Sequence, residues 1–234
     1  MNYTNKEMQV IMIARQIKDG QRVIVGTGLP LVGASLAKRT YAPNCCLLVE
    51  SGMVDGCPVE APTSVADLRF SHGASTLGET FRYFGMQNNN LRKSVMDLGF
   101  LGGAQIDPYG NLNSTSIGDY HHPSARFSGS GGANGIATYV NTVLMMQHQK
   151  RRFVEKVDYL TSPGWINGPD GRREKGLPPD RGPQVVITNL GLMKFDDETK
   201  RMYVAEYFPG VTVQDIQDNT GFEIDVSRAA ESIP

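Results

Sequence analysis

Apolar and polar positions fall into blocks over the first fifty residues, and the blocks predict helix, strand, helix, strand. Val10, Ile13, Ala14 and Ile17 share one face at helical spacing. Thr4-Asn5-Lys6-Glu7 opens that helix as a capping box, and Gly20 closes it. Arg22-Val23-Ile24-Val25 reads as a strand running into Gly26-Thr27-Gly28. Pro30 suits the first turn of a second helix through Ala37, which Tyr41-Ala42-Pro43-Asn44 breaks. Cys46-Leu47-Leu48-Val49 then forms a continuous apolar run that meets Glu50-Ser51-Gly52, the pattern of a buried strand in a parallel sheet. Strand, helix and strand at this separation make a βαβ unit.

Between Met53 and Asn90 prolines and glycines predict irregular structure with short strands, one of them at Phe81-Arg82-Tyr83-Phe84. Met96–Leu101 is a further buried strand, and Asp107-Pro108-Tyr109-Gly110-Asn111 is a turn. Ile136–Val140 is helical and Val143–Met146 a strand. From Ser162 to Pro183 runs a long polar loop with the only tryptophan, of a length that is usually functional or mobile. Gln184–Thr188 and Met202–Ala205 are strands flanking a turn at Asp196–Thr199. Thr212 caps a short last helix, followed by Phe222–Val226. No repeat or linker divides the chain, so the reading is one α/β domain over residues 1–234. Its sheet is open, mostly parallel and twisted, with helices on both faces.

Composition narrows the partners. With 23 basic against 24 acidic residues, nothing points to nucleic acid or an acidic membrane surface. No apolar run approaches the roughly 18 residues of a membrane-spanning helix, and the first residues lack a signal-peptide core. Cys45, Cys46 and Cys57 make neither a disulfide framework nor a zinc pattern. The expectation is a soluble cytoplasmic protein of a reducing compartment, without a metal.

Glu50 stands at the carboxyl end of its strand, where open α/β sheets keep their ligand crevice. By itself such a carboxylate is equally a strand cap or half of a structural ion pair. Gly129-Ser130-Gly131-Gly132-Ala133 has the composition of an anion-binding nest of backbone N–H groups. Gly26-Thr27-Gly28 is half a dinucleotide fingerprint, with Gly33 displaced from the required spacing, so it reads as a crevice turn. Lys150-Arg151-Arg152 and Arg172-Arg173 are the basic clusters available to phosphate groups, with solvated surface charge the favoured reading of both, and His121-His122-Pro123 reads as a turn.

Taken together in their order and spacing, Gly26–Pro30, Cys46–Gly52, Leu101–Asp107 and Ser128–Asn134 resemble the family I coenzyme A transferases, in particular B (beta) subunits of the glutaconate type. The resemblance runs from Asn2 to Phe222 and is weakest between Met53 and Asn90. It implies that Glu50 is a covalent nucleophile and Gly131 a backbone oxyanion donor. It also implies that Gly28, Ser51, Gly52, Gly129, Gly132 and Ala133 line the coenzyme A site. Coenzyme A is then substrate and covalent intermediate, with no permanently bound cofactor, and the partner is an A (alpha) subunit in a hetero-oligomer. The resemblance points to a dicarboxylic acid of the glutaconate type, and to a further helical stretch beyond Pro234 in the family. Two alternatives stay open: an acyl-CoA hydrolase or decarboxylase on the same scaffold, and a non-catalytic CoA-binding subunit.

Overall fold

The computed structural model describes residues 3–60, 63–64, 67–78 and 94–232. The strand expected at Phe81–Phe84 lies outside them. The chain divides into two compact units, Met1–Phe100 and Leu101–Pro234.

The first unit opens with helix α1, Asn5–Arg15, capped as expected: the Glu7 N–H donates to Thr4 Oγ1 at 3.3 Å, and the Thr4 N–H donates to Glu7 Oε2 at 2.7 Å. The helix stops before Gly20, because the N–H groups of Gln16 and Ile17 donate to carbonyls three residues back and tighten the last turn. Ile17 is still buried by that turn. Strand β1 is Arg22–Val25, helix α2 Leu29–Thr40 and strand β2 Cys46–Val49, the βαβ unit that the apolar blocks predict. β1 and β2 pair in parallel, Arg22 opposite Cys46 through Val25 opposite Val49. Val23, Ile24, Val25, Leu47, Leu48 and Val49 are all buried. Each such side chain contributes about 1.5–3 kcal/mol of apolar burial, so the strand ends are firmly placed. β2 then turns back into β3, Met53–Val54, which pairs antiparallel with it and with β4, Thr76–Leu77. β5, Leu98–Gly102, lies parallel on the other side of β1. Arg22 clamps the two strand starts through Asp97, with Nε and Nη2 each donating at 3.1 Å.

In the second unit β6, Gln105–Ile106, and β7, Leu112–Asn113, form a hairpin around the predicted Asp107–Asn111 turn. Asp107 Oδ1 accepts the N–H groups of Tyr109 and Asn111, both at 3.0 Å. β8, Ser116–Ile117, pairs antiparallel with β9, Ala125–Arg126. Helix α3, Ala133–Tyr139, leads into β10, Asn141–Met145. A one-turn helix α4, Gly171–Glu174, interrupts the long loop before β11, Pro183–Ile187, which is parallel to β10. β12, Gly191–Phe195, and β13, Met202–Tyr207, extend the sheet antiparallel, α5 covers Val213–Asp218, and β14, Ala230–Glu231, pairs parallel with β13. Among the described residues, then, each unit sets parallel ladders next to antiparallel ones. Phe222–Val226 joins the sheet by a single bridge, Asp225 to Tyr203. The Ser162–Pro183 loop is packed: Trp165 is buried and its indole N–H donates to Pro183 O at 3.0 Å.

Candidate active site

Because Val25 and Val49 are register partners in a parallel pair, β1 and β2 end together, and Gly26 and Glu50 leave the sheet side by side. The Gly52 N–H donates to Val49 O at 2.9 Å, closing a four-residue turn with Glu50 and Ser51 at its centre. Gly52 takes φ +92°, a conformation that a side chain would strain. Its own carbonyl accepts the Gly78 N–H at 2.7 Å, tying the turn to the segment after β4. Below the turn the Asp55 N–H donates to Leu47 O, and Lys38 Nζ donates to Asp55 Oδ1 at 2.6 Å and to Cys45 O at 2.7 Å. The Lys38 side chain is only 9% exposed, so this pair is shielded and holds the hairpin to the end of α2.

Glu50 itself is half-buried. Among the described residues its carboxylate has no hydrogen-bond donor and no ion-pair partner, so neither strand capping nor a structural salt bridge accounts for it. Gly28 is the N-cap of α2, with no side-chain cap and no acidic residue in the first turn. Parallel pairing puts that helix N-terminus at the same edge of the sheet as Glu50, a setting that favours anions. Gly28, Glu50, Ser51 and Gly52 are thus brought together within the first unit.

Gly129, Gly131, Gly132 and Ala133 belong to the second unit, on one loop entering α3. The Gly129 N–H donates to Ser114 O, and Ser114 Oγ donates to Gly129 O, both at 3.0 Å. Ser114 is held in turn by Thr161, whose Oγ1 accepts the Ser114 N–H at 2.9 Å. The Ala133 N–H closes the loop on Ser130 O at 2.8 Å. Between those anchors, the N–H groups of Ser130, Gly131 and Gly132 find no acceptor among the described residues. Gly131 has φ +48°, and a Cβ there would meet nothing within 4 Å. Open, unpaired and fixed at both ends, the segment can bind an anion through its backbone.

Arg172 departs from the surface role read for it: only 1% is exposed. Its guanidinium donates to the carbonyls of Thr138 at 2.7 Å, Gly164 at 2.9 Å and Pro178 at 2.8 Å, and to Ala137 O at 3.3 Å. Burial lowers its pKa to about 10, which leaves it charged at neutral pH. A cation is well placed on the C-terminal carbonyls of α3, and it fastens the helix behind the glycine loop to the Trp165 segment. Arg173, Lys150 and Arg151 are exposed, as expected, whereas Arg152 is half-buried, its Nη1 donating to Gly103 O at 3.4 Å. His121 and His122 sit in an exposed turn, their N–H groups donating to Asp119 Oδ1 at 2.9 Å. Ser114, Thr161 and Arg172 are supporting residues that sequence reasoning missed. The short polar run Asn113–Ser116 just after the Asp107–Asn111 turn is the signal that marks Ser114. Arg172, inside a loop of glycines and prolines, carries none.

The sequence profile of the Coenzyme A transferase family matches residues 6–219. The B subunit of glutaconate CoA-transferase from Acidaminococcus fermentans is 62% identical over 98% of this chain and 87% of its own length. The B subunit of 3-oxoadipate CoA-transferase from Pseudomonas knackmussii is 39% identical over 99% and 86% respectively. The crystal structure of glutaconate coenzyme A-transferase from A. fermentans superimposes with a TM-score of 0.94, covering 99% of this chain and 90% of that one at 61% identity. Profile, sequence and fold agree over nearly the whole length, and the chain belongs to the coenzyme A transferase family.

Proposed function

We propose that this chain is the B subunit of a transferase that moves coenzyme A between an acyl-CoA and a free dicarboxylic acid, glutaconate or a close analogue, through a thioester on Glu50. The observation that carries the reading is the half-buried Glu50 carboxylate, unpaired among the described residues and fixed in a closed turn at the end of a central parallel strand. Kinship to a glutaconate CoA-transferase B subunit at 62% identity supports the substrate class and the need for an A subunit.

Covalent catalysis splits one difficult transfer into easier steps. Glu50 attacks the thioester carbonyl; the carbon–sulfur bond breaks, and CoA thiolate leaves behind a mixed anhydride. The thiolate then attacks the Glu50 carbonyl of that anhydride and expels the donor acid as carboxylate, leaving glutamyl-CoA. The acceptor carboxylate attacks this thioester and releases the thiolate. Attack of the thiolate on the acceptor's carbonyl then forms the new acyl-CoA and restores Glu50. Only a carboxylate serves here, because the intermediate must be as activated as substrate and product, and the sequence of steps requires neither metal nor redox cofactor. Each attack puts negative charge on a carbonyl oxygen, and by the family resemblance Gly131 is the backbone donor that meets it.

Incubation with acyl-CoA and no acceptor, followed by borohydride, tests the reading. The thioester is expected to be reduced to a stable alcohol, and peptide mass mapping to place the change on Glu50. Label on another residue refutes the Glu50 thioester. Hydrolysis of acyl-CoA without any trapped species favours the hydrolase alternative, and binding without turnover or label the non-catalytic one.

A further inference from the structure

The hairpin that carries Glu50 has little ladder to hold it. Among the described residues β3 makes one register pair with β2, Leu48 opposite Val54, so strand pairing by itself sets the register weakly. Asp55, the residue after β3, supplies what the ladder lacks. Its N–H donates to Leu47 O at 2.6 Å, and its backbone takes φ +63°, a left-handed conformation that glycine or asparagine suits as well. What sets aspartate apart there is its carboxylate. Asp55 Oδ1 accepts from Lys38 Nζ at 2.6 Å and Oδ2 accepts from Ser75 Oγ at 3.2 Å, while the Ser75 N–H donates to Val54 O at 2.9 Å. Lys38, in the last turn of α2, also donates to Cys45 O at 2.7 Å and Pro43 O at 3.4 Å, just before β2. One carboxylate thus joins the end of α2, the entry to β2 and the return through β3 toward β4.

We propose that Asp55 is a positioning residue for the transfer: through Lys38 and Ser75 it fixes the register of the hairpin, and with it the place of the Glu50 carboxylate against the uncapped start of α2. The proposal rests on the reading above that Glu50 is the nucleophile. Gly28 lies at the edge where Glu50 leaves the sheet, and Lys38 lies near the other end of the same helix. A hairpin fastened to Lys38 is therefore held in step with Gly28. Glu50 has no side-chain partner of its own among the described residues, so its backbone decides where the carboxylate stands. Losing Asp55 leaves the shielded Lys38 ammonium, 9% exposed, without its counter-charge and frees the hairpin to shift.

The test uses the enzyme assembled with its partner subunit. It reads the single-turnover rate of Glu50 labelling by acyl-CoA beside kcat, KM and the melting temperature. Asp55→Gly keeps the left-handed backbone and removes the carboxylate; Lys38→Met removes the other half of the pair. Each is expected to lower kcat and the labelling rate together by roughly ten- to a hundredfold, the scale of an ångström-sized misplacement, without raising KM for acyl-CoA. The double variant is expected to lose no more than either single one, because both act through one contact. Should Lys38→Met fail to assemble, Asp55→Asn carries the test, since it keeps the shape and suits the backbone; its labelling rate is expected to fall as well. The positioning role is overturned if the variants melt earlier yet label Glu50 at the wild-type rate, if KM rises while kcat holds, or if the two losses add. Label in wild type with an undiminished rate in the variants sinks this role alone, whereas no label on Glu50 in wild type sinks the thioester and the positioning role with it.

Discussion

At the scale of single residues, the site turns on a carboxylate for which the described surroundings have no structural use. Lys38, the cation near the end of α2 that holds this hairpin, is already taken by Asp55 at 2.6 Å. Glu50→Gln retains shape and loses the nucleophile, so the variant is expected to fold, to bind acyl-CoA and to fail in transfer; transfer at the wild-type rate rules out the covalent role. Glu50→Asp draws the carboxylate back by one methylene, a misplacement of the order that costs about 100-fold. It also leaves room for water, so the ratio of hydrolysis to transfer is expected to rise, and product analysis by chromatography reads that ratio directly.

At the scale of elements, the glycine loop and its supports make a second set of predictions. Gly131→Val meets open space but must adopt φ +48°, a left-handed conformation that costs a β-branched residue on the order of 1–2 kcal/mol. The protein is expected to remain folded while kcat falls about 100- to 1000-fold, the usual loss for one oxyanion donor. Full turnover from a folded variant removes the loop from the site. His148, just past β10, links three elements: its ring nitrogens meet Thr188 Oγ1 at 3.2 Å and Thr220 Oγ1 at 2.9 Å, and it stacks on Phe153. Burial lowers its pKa from 6.5 to about 3. The unfolded chain therefore binds the extra proton first, and stability falls as pH drops below 6.5, by about 2 kcal/mol at pH 5. Asp107 has the opposite sign: burial raises it to about 6, so between about 4 and 6 the folded state holds the extra proton and loses stability as pH rises. His148→Gln is expected to flatten the acid limb in denaturant titrations, and an unchanged slope assigns that limb to other groups. These elements differ in how far the sequence exposes them. The βαβ unit, the Thr4 capping box and the Thr212 cap are legible because local pattern and tertiary position agree. β12 is not, since Gly191-Leu192-Met193-Lys194-Phe195 has neither strict alternation nor β-branched residues, and pairing on both sides makes it a strand. The turn back from Glu50 into β3 is hidden for a similar reason, β3 being only two residues long. Glu50 and the glycine loop are visible as motifs, whereas Ser114, Thr161 and Arg172 act through contacts distant in sequence.

At the scale of the whole molecule, the question is what one chain supplies. The first unit offers the half-buried Glu50 carboxylate and the uncapped start of α2, and the second offers a backbone segment suited to anions and a cavity bearing Arg151 and Arg152. Among the described residues, neither inventory contains an evident seat for the acid being activated. Arg172, the most deeply buried cation among the described residues, is fully engaged by backbone carbonyls, and in the cleft beside Arg201 and Arg228 the four carboxylates of Asp196, Glu198, Glu223 and Asp225 outnumber the two guanidiniums. Asp196 accepts from Arg228 at 2.7 Å, so that guanidinium is also occupied. On the proposed reading the acid is held by the A subunit, and this chain alone is expected to show no transferase turnover. Adding the A subunit should restore activity in proportion to complex formed, with saturation at a fixed stoichiometry measured by titration and light scattering. Mixing intact A subunit with a Glu50→Gln chain provides the control, since the same complex should form and remain inactive. Full turnover from this chain alone places the acid-binding groups within it and removes the need for a partner.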